Sequence, residues 1–132
     1  MSFIDLPLDI DKIQEDKPVP EGSYKLVITD CKERTDEGTG QLKGLLIICE
    51  IQGQPGAANV LHNMSLPLPG DEDEKVMNKM KFIKRFVQLF AIPLEKGKLN
   101  PAAFAGKSAT CHLTQEEYNG NVSNKIKLPN AK

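Results

Sequence analysis

The stretch KSATCHLTQEEYNGNVSNKIKL, residues 107–128, holds two alternating runs joined by an Asn119-Gly120 pair. In the first run Ala109, Cys111 and Leu113 share one side, and Ser108, Thr110, His112 and Thr114 the other. In the second, Val122, Asn124, Ile126 and Leu128 alternate with Ser123, Lys125 and Lys127. Successive side chains of a strand point to opposite faces, so each run reads as a strand with one face inward and one outward. Asn-Gly suits the positive φ angles of a tight hairpin turn. A final hairpin is predicted, with Lys125 and Lys127 outward and Tyr118 near its tip.

Working back from that hairpin, SYKLVITDCKER (23–34) sets Tyr24, Leu26 and Ile28 against Lys25, Val27 and Thr29, again a strand. The loop TDEGTG (35–40) leads to LKGLLIICEI (42–51), an apolar run whose length and flanking turns favour a buried strand. Gly44 inside it suggests a bulge or sharp bend. After GQPGAA (53–58), NVLHNMSLPL (59–68) is a third, less regular strand, ended by Pro67 and Pro69.

The period changes over residues 70–93, GDEDEKVMNKMKFIKRFVQLFAIP. Val76, Met80, Ile83, Val87 and Phe90 recur at helical spacing, joined by Met77 and Phe86, with Lys75, Lys79, Lys81, Lys84 and Gln88 opposite. Phe82, Phe86 and Phe90 are expected to pack inward. The acids Asp71 to Glu74 stand where a helix dipole favours negative charge, and Pro93 closes the pattern.

The order is three strands, a helix, then two strands. The expected class is mainly β: a five-stranded Greek-key barrel of the OB type over residues 22–132, with one α-helix between strands 3 and 4. A ubiquitin-like or other small α+β roll shares the same element string. Residues 1–21 are expected to form a separate acidic, extended arm. Pro18 and Pro20 favour an extended approach, and Phe3, Ile4, Leu6 and Leu8 are expected to anchor the arm on the body.

The 132 residues suit one domain with a real core, and 39% apolar with 27% charged residues is an ordinary soluble composition. No apolar run approaches the roughly 20 residues of a membrane helix, and MSFIDLPLDIDK lacks the character of a signal peptide, so a cytoplasmic protein is expected. Cys31, Cys49 and Cys111 are widely spaced in apolar surroundings, which favours buried thiols over a zinc site or a disulfide. The net charge of −1 hides an asymmetry. Asp5, Asp9, Asp11, Glu15, Asp16 and Glu21 outweigh Lys12 and Lys17 in the arm, and the remainder carries an excess of three positive charges. That split hints at an anionic partner for the body.

Enzyme chemistry finds little purchase. His62 and His112 are the only histidines and neither lies in a nucleophile motif; no HExxH or P-loop occurs. GTGQLKG misses the GxGxxG spacing. The acidic run Asp71–Glu74 reads as compensation of the helix dipole rather than a metal site. No cofactor is expected.

Single-strand binding needs a basic groove for phosphates and flat side chains on which bases stack. Lys25, Lys32 and Arg34 on or just beyond strand 1, Lys43 opening strand 2, and His62 and Asn63 of strand 3 are candidates. Lys107 and His112 of strand 4, Tyr118 in the following loop, and Lys125 and Lys127 of strand 5 complete the set. Each lysine taken alone reads as solvated surface, Tyr24 as core, and His62 shares the parity of the apolar Val60, Met64 and Leu66. Tyr118 has little core to join at a hairpin tip, which makes partner contact the sharper reading.

With these elements placed, PVPEGSYKLVITDCKERT (18–35), LKGLLIICEI, NVLHNMSL (59–66), the lysine-rich helix and GKSATCHLTQEEYNGNVSNKIK (106–127) resemble a family of small phage- and prophage-encoded proteins. Gly106-Lys107 and Asn124-Lys125-Ile126 carry the match most strongly. The resemblance implies an OB-fold that binds single-stranded DNA in phage replication or recombination within a bacterial cytoplasm. Replication or recombination proteins are then the expected further partners, and an oligomer is compatible with it. The chain departs from the pattern in having no tryptophan, and its ending KLPNAK is not the acidic tail by which bacterial single-strand-binding proteins recruit partners. The acidic arm is the expected substitute, covering the groove or contacting a partner. The rival expectation is an OB-fold protein-interaction module or inhibitor in a phage assembly.

Overall fold

The alternating runs become five antiparallel strands in the computed structural model, which describes residues 3–7, 17–54 and 56–128. The strands are β1 (Gly22–Thr35), β2 (Leu42–Ile51), β3 (Val60–Ser65), β4 (Ser108–Tyr118) and β5 (Asn121–Lys127), with helix α1 (Asp73–Leu89) between β3 and β4. The sheet order is β3-β2-β1-β4-β5. A 3-10 turn at Pro101–Ala103, which the sequence pattern did not announce, precedes β4.

Long β1 holds the sheet together by pairing twice, through Leu26–Thr35 with β2 and through Gly22–Val27 with β4. Its register slips where Ile28 faces Cys49 and Asp30 faces Ile48, leaving Thr29 as an extra residue. Such a bulge bends a strand and increases its twist. There Ile28 exchanges backbone bonds with the turn before β4: its N–H donates to Lys107 at 2.8 Å and its carbonyl accepts from Gly106 at 2.8 Å. A second slip skips Lys43, so the irregularity expected at Gly44 falls one residue earlier. Gly44 itself stays in register, opposite Arg34 and Ser65, because β3 lies close: a Cβ there would sit 2.7 Å from the Met64 carbonyl oxygen.

These bends bring Cα atoms of β3 and β5 within 8 Å of one another. Both strands run parallel to β1, yet no backbone hydrogen bond joins them among the described residues. The sheet is therefore strongly curved and open along that seam.

Its inward face is the apolar parity of each strand: Leu26 and Ile28, then Leu45, Ile47 and Cys49, then Val60 and Met64, then Cys111 and Leu113, all buried. Helix α1 closes this core with Ile83, Phe86, Val87 and Phe90, spaced as one helical stripe. The stripe is narrower than expected. Met77 and Met80 are exposed, and Phe82 is 55% exposed rather than packed inward. Phe82 stands about 100° round the axis from Ile83, so a helix seated through Ile83 leaves that ring on its flank.

The helix also ends earlier than Pro93 suggested. Ala91 takes φ 51°, the Ile92 N–H donates to Val87 at 3.0 Å and the Ala91 N–H to Gln88 at 3.3 Å. This is a Schellman turn, with buried Ile92 providing its apolar contact. At the other end Asp73 and Glu74 occupy the first turn, whereas Asp71 binds the Leu68 N–H at 2.8 Å and Lys79 Nζ at 2.8 Å. These bonds, from Lys79 first and then Leu68, hold the Asp71 carboxyl below its ordinary pKa.

The arm enters along the sheet through its last residues. Lys17 bridges Ala57, and Val19 is buried in the core. Phe3, Ile4 and Leu6, expected as anchors, are exposed, and Leu8 lies outside the described residues. Backbone pairing at Lys17 and the burial of Val19 hold the arm instead. Tyr24 is half-buried against the core, its hydroxyl donating to the Pro20 carbonyl at 2.7 Å.

Candidate nucleic-acid interface

The strand registers sort the basic residues. On the outward face, Lys32 stands beside Leu46 and Asn63, and Arg34 beside Gly44 and Ser65. Farther along β1, Lys25 pairs with Thr110, His112 with Lys127, and Thr114 with Lys125. Lys25, His112, Lys125 and Lys127 stand on the parity opposite to the buried Leu26, Cys111 and Leu113, and the extra residue at Thr29 shifts Lys32 and Arg34 onto the same side of the sheet.

That side carries two basic groups rather than one. Arg34, Lys32 and Asn63 gather near the β1–β2 loop, where the Arg34 guanidinium donates to Asn63 Oδ1 at 2.7 Å. The Lys43 bulge turns its residue to the same end, and Arg34, Lys43 and Asn63 line a shallow hollow of about 150 Å³. Lys25, His112, Lys125 and Lys127 form the second group across β1, β4 and β5. Between the groups lie Leu61, Ile48 and Asp30 in one cross-strand row and Glu50, Val27 and Ser108 in the next. Two acids and four aliphatic side chains (Leu46 included) thus interrupt the basic face.

Three candidates stand apart from both groups. Lys107 lies in the turn before β4, half-buried, with its backbone engaged by Ile28 and Phe104. His62 faces inward and stacks on Phe86 with ring centroids 4.6 Å apart. Burial, and secondarily the nearby Lys125 charge, pushes its pKa down to about 4, so the ring is neutral at neutral pH. Tyr118 is 79% exposed at the end of a two-stranded ribbon, since β4 beyond Leu113 pairs with β5 alone. Asn119 and Gly120 have φ 51° and 80°, as a type I′ turn requires. The neighbours Glu116 and Glu117 make this tip acidic.

A cleft of about 360 Å³ opens behind β3, between that strand and α1. Its wall includes His62, Asn63, Lys75, Asn78, Phe82 and, from the end of β5, Leu128. Phe82 was missed by periodicity, which assigned it to the core; only its 100° offset from Ile83 signalled otherwise. The Arg85 guanidinium lies 5.2 Å from the Phe82 ring centroid.

Burial pushes the Cys49 and Cys111 thiols up to about 12, and Cys31 to about 11, where the acids Asp30 and Glu33 add to the burial. Among the described residues no cluster of His, Cys, Asp or Glu is placed to hold a metal ion, and no helix is long and apolar enough to cross a membrane. No protein-family model matches the chain, and no curated protein matches it either.

Proposed function

We propose that this chain is a non-enzymatic, sequence-tolerant single-stranded-DNA-binding protein of the OB type that serves phage DNA replication or recombination. The observation that carries the reading is the common outward side of Lys25, Lys32, Arg34, His112, Lys125 and Lys127 on one curved sheet. Cations spaced along a sheet face suit a flexible phosphate backbone better than a compact ligand. The topology supports the fold half of the proposal. A β1-β2-β3 meander, a β4-β5 hairpin joined to β1, a helix between β3 and β4, and parallel β3 and β5 brought close together suit a Greek-key barrel. The sequence resemblance supplies the phage setting.

Fluorescence anisotropy of a labelled oligo-dT at two salt concentrations tests the proposal. Affinity should fall steeply with salt, with a log–log slope of roughly −0.7 for each phosphate neutralised. Replacing Lys32 and Arg34 by Gln should flatten that slope by about two contacts' worth. Absence of binding at low salt defeats the reading.

One observation favours a protein-contact module instead: Val27, Leu46, Ile48 and Leu61 form an aliphatic strip in the middle of the outward face. Under that reading, Leu61→Asp abolishes a partner complex while oligo-dT has no affinity for the wild-type chain.

A further inference from the structure

We propose that the cleft behind β3 is a nucleobase subsite, in which a single strand crossing β3 at Asn63 lays one unstacked base against Phe82. This inference rests on the single-strand-binding reading and extends it from the sheet face to a second wall of the protein.

Continuity is the first support. Asn63, Met64 and Ser65 line both the cleft and the hollow that holds Arg34 and Lys43. A phosphate held by Arg34 and Lys43 therefore places the next nucleotide at the rim of the cleft. The volume of about 360 Å³ lies in the range of small-ligand sites.

The ring itself is the second support. Phe86 of the same helix and Phe90, which caps it, are fully buried, whereas Phe82 stands in water at the cleft wall. Base–aromatic stacking is a sequence-tolerant source of affinity because every base has a π-face. Arg85 braces the ring, and its buried Nε finds no partner among the described residues.

The polar groups complete the match. Asn63 Oδ1 accepts from Arg34, and among the described residues neither the Asn63 amide nitrogen nor the Asn78 side chain makes a hydrogen bond. A carboxamide offers the paired donor and acceptor that a base edge presents. Asp71 is bonded to Lys79 at 2.8 Å and lies 3.7 Å from Lys75, whose side chain stays largely exposed. An apolar peptide side chain would also fill the cleft, but cations at both ends and carboxamides on both walls favour a base carried by a polyanion.

The test uses the full chain, in which Phe82→Trp introduces a single tryptophan. Titration with oligo-dT should quench its fluorescence in step with anisotropy, and an oligomer of abasic sites should not. Phe82→Ala should lose about tenfold in dT affinity, the scale of one stacked base, with an unchanged salt slope. If the wild-type chain binds dT but Phe82→Ala binds equally and the tryptophan stays unquenched, the subsite is wrong and the sheet-face reading survives. Quenching by the abasic oligomer equal to that by dT also overturns the subsite. If the wild-type chain does not bind dT at low salt, both readings fall together.

Discussion

Asn124 grips the backbone of Val19 at two points: its Oδ1 accepts from the Val19 N–H at 2.8 Å and its Nδ2 donates to the Val19 carbonyl at 2.8 Å. A side chain on β5 thus does for the arm what a neighbouring strand does in a ladder. Asn124 is the one buried polar residue among the described residues, and a third bond from Nδ2 to the Thr114 carbonyl at 3.2 Å completes its donor capacity. Gln115 adds a bond of 2.8 Å to the same Val19 carbonyl.

Asn124→Ala leaves the buried Val19 N–H without its acceptor. An unsatisfied buried donor costs about 1–3 kcal/mol, which urea denaturation should record as a lower midpoint at unchanged slope. Limited proteolysis should cut near Lys17 faster in the variant, because Val19 no longer secures the arm.

His62 makes stability depend on pH. Its pKa drops from 6.5 in the unfolded chain to about 4 in the fold, so the unfolded state binds the additional proton between those values. The stabilisation is complete above pH 6.5 and is lost as pH falls toward 4, amounting to about 3 kcal/mol over the window. Denaturation at pH 7, 5.5 and 4 should show this decline, and His62→Phe should reduce it.

Gly44→Ala should destabilise the protein by roughly 1–3 kcal/mol, since the new methyl meets the Met64 carbonyl oxygen at 2.7 Å. Thermal unfolding reads the loss. The shift of β3 away from β2 should also lengthen the Arg34–Asn63 bond and weaken oligo-dT binding.

Ala91→Gly should act in the opposite direction. Ala91 holds φ 51° at the Schellman turn, a conformation that costs a non-glycine residue about 1–2 kcal/mol. Glycine's freer unfolded chain offsets about 0.4–1 kcal/mol of that relief, so a net gain between about 0 and 1.6 kcal/mol is expected, read as a higher denaturation midpoint.

Tyr118→Ala leaves stability within about 0.5 kcal/mol, because the ring is 79% exposed at a ribbon tip. If the ribbon grips a strand, oligo-dT affinity falls by about tenfold or more, the scale of one stacked base. An unchanged affinity assigns stacking to other residues.

The sequence by itself determined the strands, the helix and the faces of the regularly alternating runs, because side-chain period is a local property; the Thr29 bulge, which carries Lys32 and Arg34 to the outward face, is not legible in it. Alternation around Asn119-Gly120 placed the last hairpin, and Leu26, Ile28, Cys111 and Leu113 are buried on the parity that the pattern assigned. Local pattern also set Lys125 and Lys127 on the parity opposite to Asn124 and Ile126. The tertiary structure alone decided which elements meet. Only the pairing of β1 with both β2 and β4 gathers Lys32 with Arg34 and Lys25 with His112, and separates the two groups by Asp30 and Glu50. Helical period did not exclude Phe82 from the core, because the width of the buried stripe depends on how α1 seats against β3. The partner of Asn124 lies 105 residues away in the chain, a separation over which no local pattern carries information.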